Sequence, residues 1–180
     1  MTPQEQVIIR IPSPEDAGGI ARVHVDAWRE TYYGILPAEV LEGLSYERRE
    51  QHWHQVLSDP ASDTVLYVLD RVGEGTKGFV SVGPERGQVQ GYDGELYAIY
   101  LLKEVQGQGL GRRLFERGAE ALSQRGFQSM ALWVLKDNPS RGFYEHLGGI
   151  VVGEQPIEIG ERQYIELAYG WPKLEKISGG

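Results

Sequence analysis

The chain has 180 residues and a formal net charge of −8, and this length favours one domain because it supports a single core that buries roughly 70% of the unfolded surface. The acidic balance argues against a general nucleic-acid binder, which needs a basic face for phosphates. No apolar segment approaches the roughly 20 residues of a membrane span, and the N-terminus does not resemble a signal peptide. Cysteine is absent, which excludes disulfides and thiol catalysis, so a cytoplasmic location is expected.

The first third of the chain predicts one strand and two main helices. VIIRIP is β-like, and a serine, a proline and two acids from Ser13 onward predict the start of a helix that runs to about Thr31. A short helical piece is predicted over residues 37–44. Ser45 then caps a longer helix that ends before Pro60.

The remaining two thirds predict strands and helices in alternation. TVLYVLD and KGFVSV form a hairpin, ELYAIYLL and SMALWVL are further strands, and each of the last two is followed by a helix. Two final strands are joined by Gly160 and Glu161. The predicted order is β-α-α-β-β-β-α-β-α-β-β, a single α/β domain with a mixed sheet over residues 1–173 and a flexible tail over 174–180.

A glycine-rich turn joins ELYAIYLL to the next helix. Glycines at alternate positions from Gly107 to Gly111 remove Cβ atoms where a helix begins, so backbone N–H groups and the helix dipole can meet an anion such as a diphosphate. A dinucleotide fingerprint needs a small residue where Arg112 stands, and a P-loop needs a lysine and a hydroxyl that are absent. The turn instead has the spacing Q-x-x-G-x-G, which begins at Gln106. The alternative is that the glycines only make a tight connection and bind no ligand.

Together with this turn, two further segments resemble the GNAT acetyltransferase superfamily. LWVLKDNPSRGFYEHLGG is similar to the second cofactor motif of that superfamily, and AWRETYYGILP followed by LSYERREQHW resembles a bacterial subgroup. The element order also matches. The resemblance implies a GNAT-like fold and an N-acetyltransferase that uses acetyl-CoA.

The resemblance implies which residues hold coenzyme A. The strand end would pair with the pantetheine arm through its backbone, the glycine turn would bind the pyrophosphate, and an asparagine in the second motif would contact the cofactor. A role as a helix N-cap would also explain that asparagine. The predicted cofactor residues are Ile99, Tyr100, Leu101, Gln106, Gly107, Gln108, Gly109, Leu110, Gly111, Arg112 and Asn138.

The implied reaction is the direct attack of a primary amine, on a small molecule or a protein, on the thioester of acetyl-CoA. Tyr144 matches the family tyrosine that protonates the leaving thiolate, with core packing as the alternative. Glu95 is the first candidate for the base and Asp93 the second, because strand alternation would place both on one face with Ile99. A solvated strand end would explain either carboxylate equally well.

The acceptor wall is predicted after the first helix, at Trp28, Tyr32 and Tyr33, although core packing also suits Trp28. No metal is expected, since His52 and His54 are two residues apart on a helix and point in different directions. A homodimer through exposed sheet edges is possible by analogy. The alternative function is a catalytically silent acyl-CoA-binding sensor or interaction module, and the identity of the acceptor stays open.

Overall fold

Seven strands form one mixed sheet in the computed structural model, which describes residues 6–177. The strands are β1 (Val7–Arg10), β2 (Val65–Arg71), β3 (Gly75–Pro84), β4 (Gly94–Leu101), β5 (Met130–Leu135), β6 (Ile150–Ile159) and β7 (Arg162–Trp171). They lie in the order β1-β2-β3-β4-β5-β7-β6, and of these pairs only β4 and β5 are parallel within the described residues.

Helices cover both faces of this sheet. They are α1 (Ala17–Tyr32), α2 (Ala38–Glu42), α3 (Tyr46–Ser58), α4 (Leu110–Gln124) and α5 (Arg141–His146). A 3-10 turn over Pro14–Asp16 precedes α1, with Ser13 at its N-cap as predicted. The mixed α/β class and the element order are confirmed. None of the helices in residues 6–177 has the length and apolar character to cross a membrane.

The two sheet faces bury separate apolar clusters. On one face, α1 and α3 place Ile20, Val23 and Trp53 against Val68 and Phe79. On the other face, α4 packs on the same strands through the neighbouring positions, because successive strand side chains point to opposite faces. That cluster includes Val80, Val82, Leu114, Phe115, Leu122 and Leu132. Each fully buried side chain of this kind contributes about 1.5–3 kcal/mol to folding.

The parallel pair of β4 and β5 holds for only two residue pairs. Gly94 faces Met130 and Glu95 faces Ala131, and no further pairing between these strands occurs in the described chain. Beyond this point the strands part. Because Leu102 N donates to Lys77 O on the β3 side, alternation turns the N–H and C=O groups of Ile99 and Leu101 toward the gap.

A β-bulge in β4 changes which side chains share a face. Leu96 and Ala98 pair with consecutive residues of β3, which leaves Tyr97 as the extra residue. Leu96 and Ile99, three residues apart, therefore both pack in the α4 cluster. The prediction that strict alternation puts Glu95 and Ile99 on one face is wrong, because the bulge shifts the alternation between them.

The predicted flexible tail over residues 174–180 is wrong for two of its residues. Leu174 is 2% exposed and Ile177 9% exposed, and both belong to the cluster under α4. Leu174 N also donates to Gln128 O at 2.9 Å. Apolar burial therefore holds this segment on the domain. Residues 1–5 and 178–180 lie outside the described residues, so the ends of the predicted domain and tail are not covered.

Candidate active site

A cavity of about 450 Å³ lies where β4 and β5 part. Its walls come from α1, the end of β4, the glycine turn with the start of α4, and the segment from β5 into α5. The lining residues are Ala27, Thr31, Ile99, Tyr100, Leu101, Gln106, Gly107, Gly109, Gly111, Arg112, Asn138, Ser140, Phe143, Tyr144, His146 and Leu147. Most of the predicted cofactor residues are thus brought to one cavity.

The glycine turn forms one end of the cavity with an open backbone surface. Gly107 and Gly109 have φ angles of 70° and 74°, which only glycine adopts at little cost. No atom lies within 4 Å of the position that a Cβ would take at either residue. Gly109 is the N-cap of α4, so the free amides of the first helical turn and the helix dipole face an anion-sized space. This arrangement fits a diphosphate.

Two glutamine side chains hold the turn through hydrogen bonds to backbone carbonyls. Gln106 Nε2 donates to Leu101 O at 2.9 Å, and Gln108 Nε2 donates to Glu104 O at 3.2 Å. Gln106 thereby satisfies a carbonyl that β5 leaves unpaired. Gln108 does not line the cavity, and Leu110 anchors the turn in the core with 1% exposure.

Arg112 supplies a positive charge beside the turn. Its Nε donates to Glu116 Oε1 at 2.8 Å across one helical turn, and its side chain is about half exposed. The ion pair contributes little to stability because both groups are solvated. The guanidinium can therefore turn toward a bound phosphate at small cost.

Tyr144 lies in the cavity wall on α5 with its ring packed between Phe143 and Tyr169. Only 8% of the residue is exposed, and its hydroxyl has no hydrogen-bond partner among the residues described. Burial raises the pKa of Tyr144 above its ordinary value, and the nearby Tyr100 and Tyr32 phenols raise it further. The phenol is therefore protonated at neutral pH and can donate.

Asn138 connects the cavity to α1. Its Nδ2 donates to the Tyr32 hydroxyl at 3.0 Å, and its Oδ1 accepts from Ser140 N at 2.7 Å. The N-cap of α5 is Ser140 rather than Asn138, because the asparagine closes the turn before the helix. Tyr32 itself is buried and does not line the cavity.

Trp28 supports the cavity from behind Tyr100. Its Nε1 donates to the Tyr100 hydroxyl at 2.8 Å, and its ring lies 4.9 Å from that of Tyr32. His24 stacks on the Tyr100 ring, with centroids 5.1 Å apart. Tyr33, by contrast, is 85% exposed, and the structure does not bring it to the cavity.

Glu95 does not reach the cavity. The residue is 1% exposed, and Arg86 occupies both of its carboxylate oxygens: Nη2 contacts Oε1 at 2.6 Å, while Nε and the backbone N contact Oε2. The Arg86 guanidinium also lies 4.5 Å from the centre of the Tyr97 ring. This ion pair fastens the loop before β4 to the bulge.

The Asp93 carboxylate likewise has its hydrogen-bond partners outside the cavity. Its carboxylate accepts hydrogen bonds from Gln128 N and from both Ser129 N and Ser129 Oγ. Burial alone would raise the pKa of Asp93, but these donors hold it below its ordinary value. The carboxylate therefore joins β4 to the start of β5, outside the cavity.

Several lining residues were not predicted. Ala27 and Thr31 are four residues apart on α1, and Phe143 on α5 lies at the same spacing from Leu147, the C-cap of that helix, so helical periodicity could have placed each pair on one face. His146 lines the cavity at the exposed end of α5, and no sequence signal distinguished it. Among residues 6–177, no three histidine or acidic side chains lie close enough together to hold a metal ion.

Comparison with known proteins gives the family of this chain. Residues 86–156 match the family described as FR47-like protein. The uncharacterized N-acetyltransferase YuaI of Bacillus subtilis is 43% identical over 95% of this chain and 96% of its own length. The chain belongs to the GNAT superfamily of N-acetyltransferases. The predicted family and enzyme class are thereby confirmed.

Solved GNAT structures share the fold. The PaiA N-acetyltransferase of Thermoplasma acidophilum, solved with coenzyme A, superimposes with a TM-score of 0.64 at 19% identity, over 89% of this chain and 97% of its own. YncA of Salmonella typhimurium, a putative acetyltransferase solved with acetyl-CoA, gives 0.65 at 20% identity, over 93% and 94%. The GNAT family match spans β4, the turn and α5, which form most of the cavity wall.

Proposed function

We propose that this GNAT protein transfers an acetyl group from acetyl-CoA to a primary amine of a small molecule or a protein. The observation that carries the proposal is the cavity at the parting of β4 and β5, which has the open glycine turn at one end and the Tyr144 hydroxyl in its wall. Diphosphate binding and proton donation thus meet in one space.

The chain offers two kinds of backbone group for holding the cofactor. The turn presents amides at the start of α4, where the helix dipole favours a diphosphate, and Arg112 adds charge beside it. The strand edge presents the N–H and C=O groups of Ile99 and the N–H of Leu101, which β5 leaves unpaired, whereas Leu101 O accepts from Gln106. These free groups suit the amides of an extended pantetheine arm. When bound, acetyl-CoA supplies an acetyl group activated as a thioester.

Tyr144 is proposed as the proton donor. A positioned phenol can give a proton to the leaving thiolate. Burial raises the pKa of Tyr144 and keeps the phenol protonated at neutral pH. Because a raised pKa also disfavours release of that proton, the transfer is proposed to be coupled to the return of a proton from the attacking nitrogen. Glu95 and Asp93 are not assigned the role of base, since Arg86 and the start of β5 respectively occupy their carboxylates.

The experiment is an isothermal titration with acetyl-CoA followed by thiol release against a panel of primary amines. We expect saturable one-site binding and turnover with at least one amine. The Gly109→Ala variant should bind acetyl-CoA more weakly, because it alters the turn itself. Absence of binding by the wild-type protein would sink the proposal, as would binding at undiminished affinity by the turn variant.

A further inference from the structure

The end of the cavity away from the glycine turn, formed by β4 and α1, is the end proposed for the acceptor, and its titratable lining groups are phenols rather than carboxylates. Tyr100 on β4 and Tyr144 on α5 line the cavity, and Tyr32 on α1 is joined to the lining residue Asn138. Burial raises the pKa of all three phenols. Each is therefore neutral and protonated near pH 7, and none of them can accept a proton from an ammonium ion.

The other charged groups around the cavity have different positions or partners. Arg112 lines the cavity at the start of α4, beside the glycine turn, and His146 lines it at the exposed end of α5. Glu166 on β7 is near enough to Tyr32 to raise its pKa, but its Oε1 accepts from Gln155 at 2.6 Å and it does not line the cavity. No aspartate or glutamate is among the lining residues of the described chain.

An ammonium ion that enters such a site pays a desolvation cost without a lining carboxylate to pair with it. We propose that the acceptor binds as an uncharged amine, and specifically that it is the α-amino group of a peptide, which loses its proton at a lower pH than an ε-amino group or a polyamine. This inference rests on the proposed function and names the acceptor class for the same cavity.

The proton balance agrees with this choice. When a neutral amine attacks the acetyl carbonyl, a C–N bond forms and the C–S bond breaks. The nitrogen loses one proton, and the sulfur gains one from Tyr144, which the proton from nitrogen then replaces. No net proton leaves the site. An ammonium acceptor would first have to give up an additional proton, and the lining residues at this end offer no group to take it.

The size of the effect follows from ordinary amine pKa values. An α-amino group titrates at about 7.7–8.0 and a lysine ε-amino group at about 10.4, so near pH 7 the uncharged fraction differs by about 300-fold. The greater nucleophilicity of the more basic amine offsets part of this. We expect at least a tenfold preference in kcat/KM for the α-amino group.

Two isomeric acceptors allow the two kinds of amino group to be compared in molecules of the same composition. Nε-acetyl-lysine amide carries a free α-amino group and Nα-acetyl-lysine amide a free ε-amino group, with identical composition. We expect kcat/KM for the first to level off near pH 8 and kcat/KM for the second to keep rising toward pH 10. An inflection that moves with the acceptor reports the ionisation of the amine.

A protein base would give a different result. If both isomers share one inflection, a group of the enzyme removes the proton and the inference is overturned. Loss of that shared inflection in Glu95→Gln would identify Glu95 as the base. A preference for the ε-amino isomer at pH 7 would overturn the inference equally.

Calorimetry supplies a readout independent of turnover. Binding of each isomer to the protein saturated with coenzyme A is measured at pH 7 in two buffers of different ionisation enthalpy. We expect the α-amino isomer to bind with release of close to one proton, because most of it starts as ammonium. Binding without proton release would contradict the inference. Failure of the protein to bind coenzyme A at all would instead refute the proposed function, so the two failures are distinguishable.

Discussion

The two ends of the cavity are built in different ways. The turn end comes from one continuous segment, Gln106–Arg112, and its shape follows from glycines at left-handed positions. The aromatic end joins Trp28, Tyr100 and Asn138 from three distant parts of the chain. A local backbone shape can therefore bind the same cofactor whatever the rest of the chain does. The shape of an end assembled from separate elements changes when any of those elements changes.

Tyr144→Phe should produce the largest effect, since it removes the proposed proton donor from the cavity wall. We expect kcat to fall by about 10²–10⁴, the usual range for loss of a positioned proton donor, with the acetyl-CoA Kd unchanged. Steady-state kinetics and calorimetric titration measure the two quantities. Tyr169→Phe is the control, because its hydroxyl bonds Arg141 and Glu145. An equal fall in kcat in both variants would count against Tyr144 as the donor.

The buried His24, which stacks on Tyr100 at the aromatic end, should make the free energy of unfolding depend on pH in the acid range. Burial, with smaller contributions from the charges of Arg49 and His52, lowers the pKa of His24 to about 3. Between pH 6.5 and about 3 the unfolded chain binds a proton that the folded chain does not, so the free energy of unfolding falls with pH through this window. The free energy of unfolding at pH 4 should be about 3 kcal/mol lower than at pH 7 on account of this group.

Urea unfolding at pH 7, 5.5 and 4 measures that slope. His24→Gln should unfold more easily at pH 7, because Trp53 loses its acceptor on the imidazole, but its stability should fall less steeply with acid. His54→Gln is the matched control at a position where the ring bonds only Ser58 on the surface. Equal slopes in His24→Gln and the wild-type protein would rule out this source of acid sensitivity.

Gly109→Ala tests the turn end alone. An alanine at φ 74° costs about 1–2 kcal/mol, and relief of that strain moves the amides away from the diphosphate. We expect the acetyl-CoA Kd to rise by about tenfold or more. Gly126→Ala introduces the same strain at φ 90° outside the cavity, so it should lower the Tm similarly and leave the Kd unchanged. Similar Kd changes in both would show that the strain, not the turn, is responsible.

Trp28→Phe should have the smallest effect and should confine it to the aromatic end. Loss of the hydrogen bond to Tyr100 is worth about 1 kcal/mol, which corresponds to about a fivefold rise in the acceptor KM with an unchanged acetyl-CoA Kd. Trp53→Phe removes a similar N–H donor, to His24, farther from the cavity. A change in acetyl-CoA affinity in Trp28→Phe would show that the two ends are not independent.

Sequence reasoning succeeded where the signal is local. The glycine spacing predicts the turn, and Ser45 marks the start of α3. The apolar run after Gly126 predicts the buried strand that the structure shows. In each case a few neighbouring residues determine the backbone, so no tertiary contact is needed to predict the outcome.

Glu95, the first residue predicted as the base, does not reach the cavity, for two reasons that depend on distant parts of the chain. The bulge at Tyr97 depends on how β4 pairs with β3, and alternation within ELYAIYLL cannot reveal it. The partner of Glu95 is an arginine nine residues earlier, in a loop whose path the sequence does not specify. The same holds for Asn138, whose contact with Tyr32 joins residues 106 positions apart.

The parting of β4 from β5 has a mechanical consequence. Only two residue pairs of backbone pairing join the four strands β1–β4 to the three strands β5, β7 and β6, so the sheet has its fewest backbone hydrogen bonds across its middle. A ligand that pairs with Ile99 and Leu101 would extend that pairing, and at 100 times its Kd it stabilises the fold by about 2.7 kcal/mol. Amide hydrogen exchange at these two residues would then slow on binding and report occupancy directly, before any acetyl group moves.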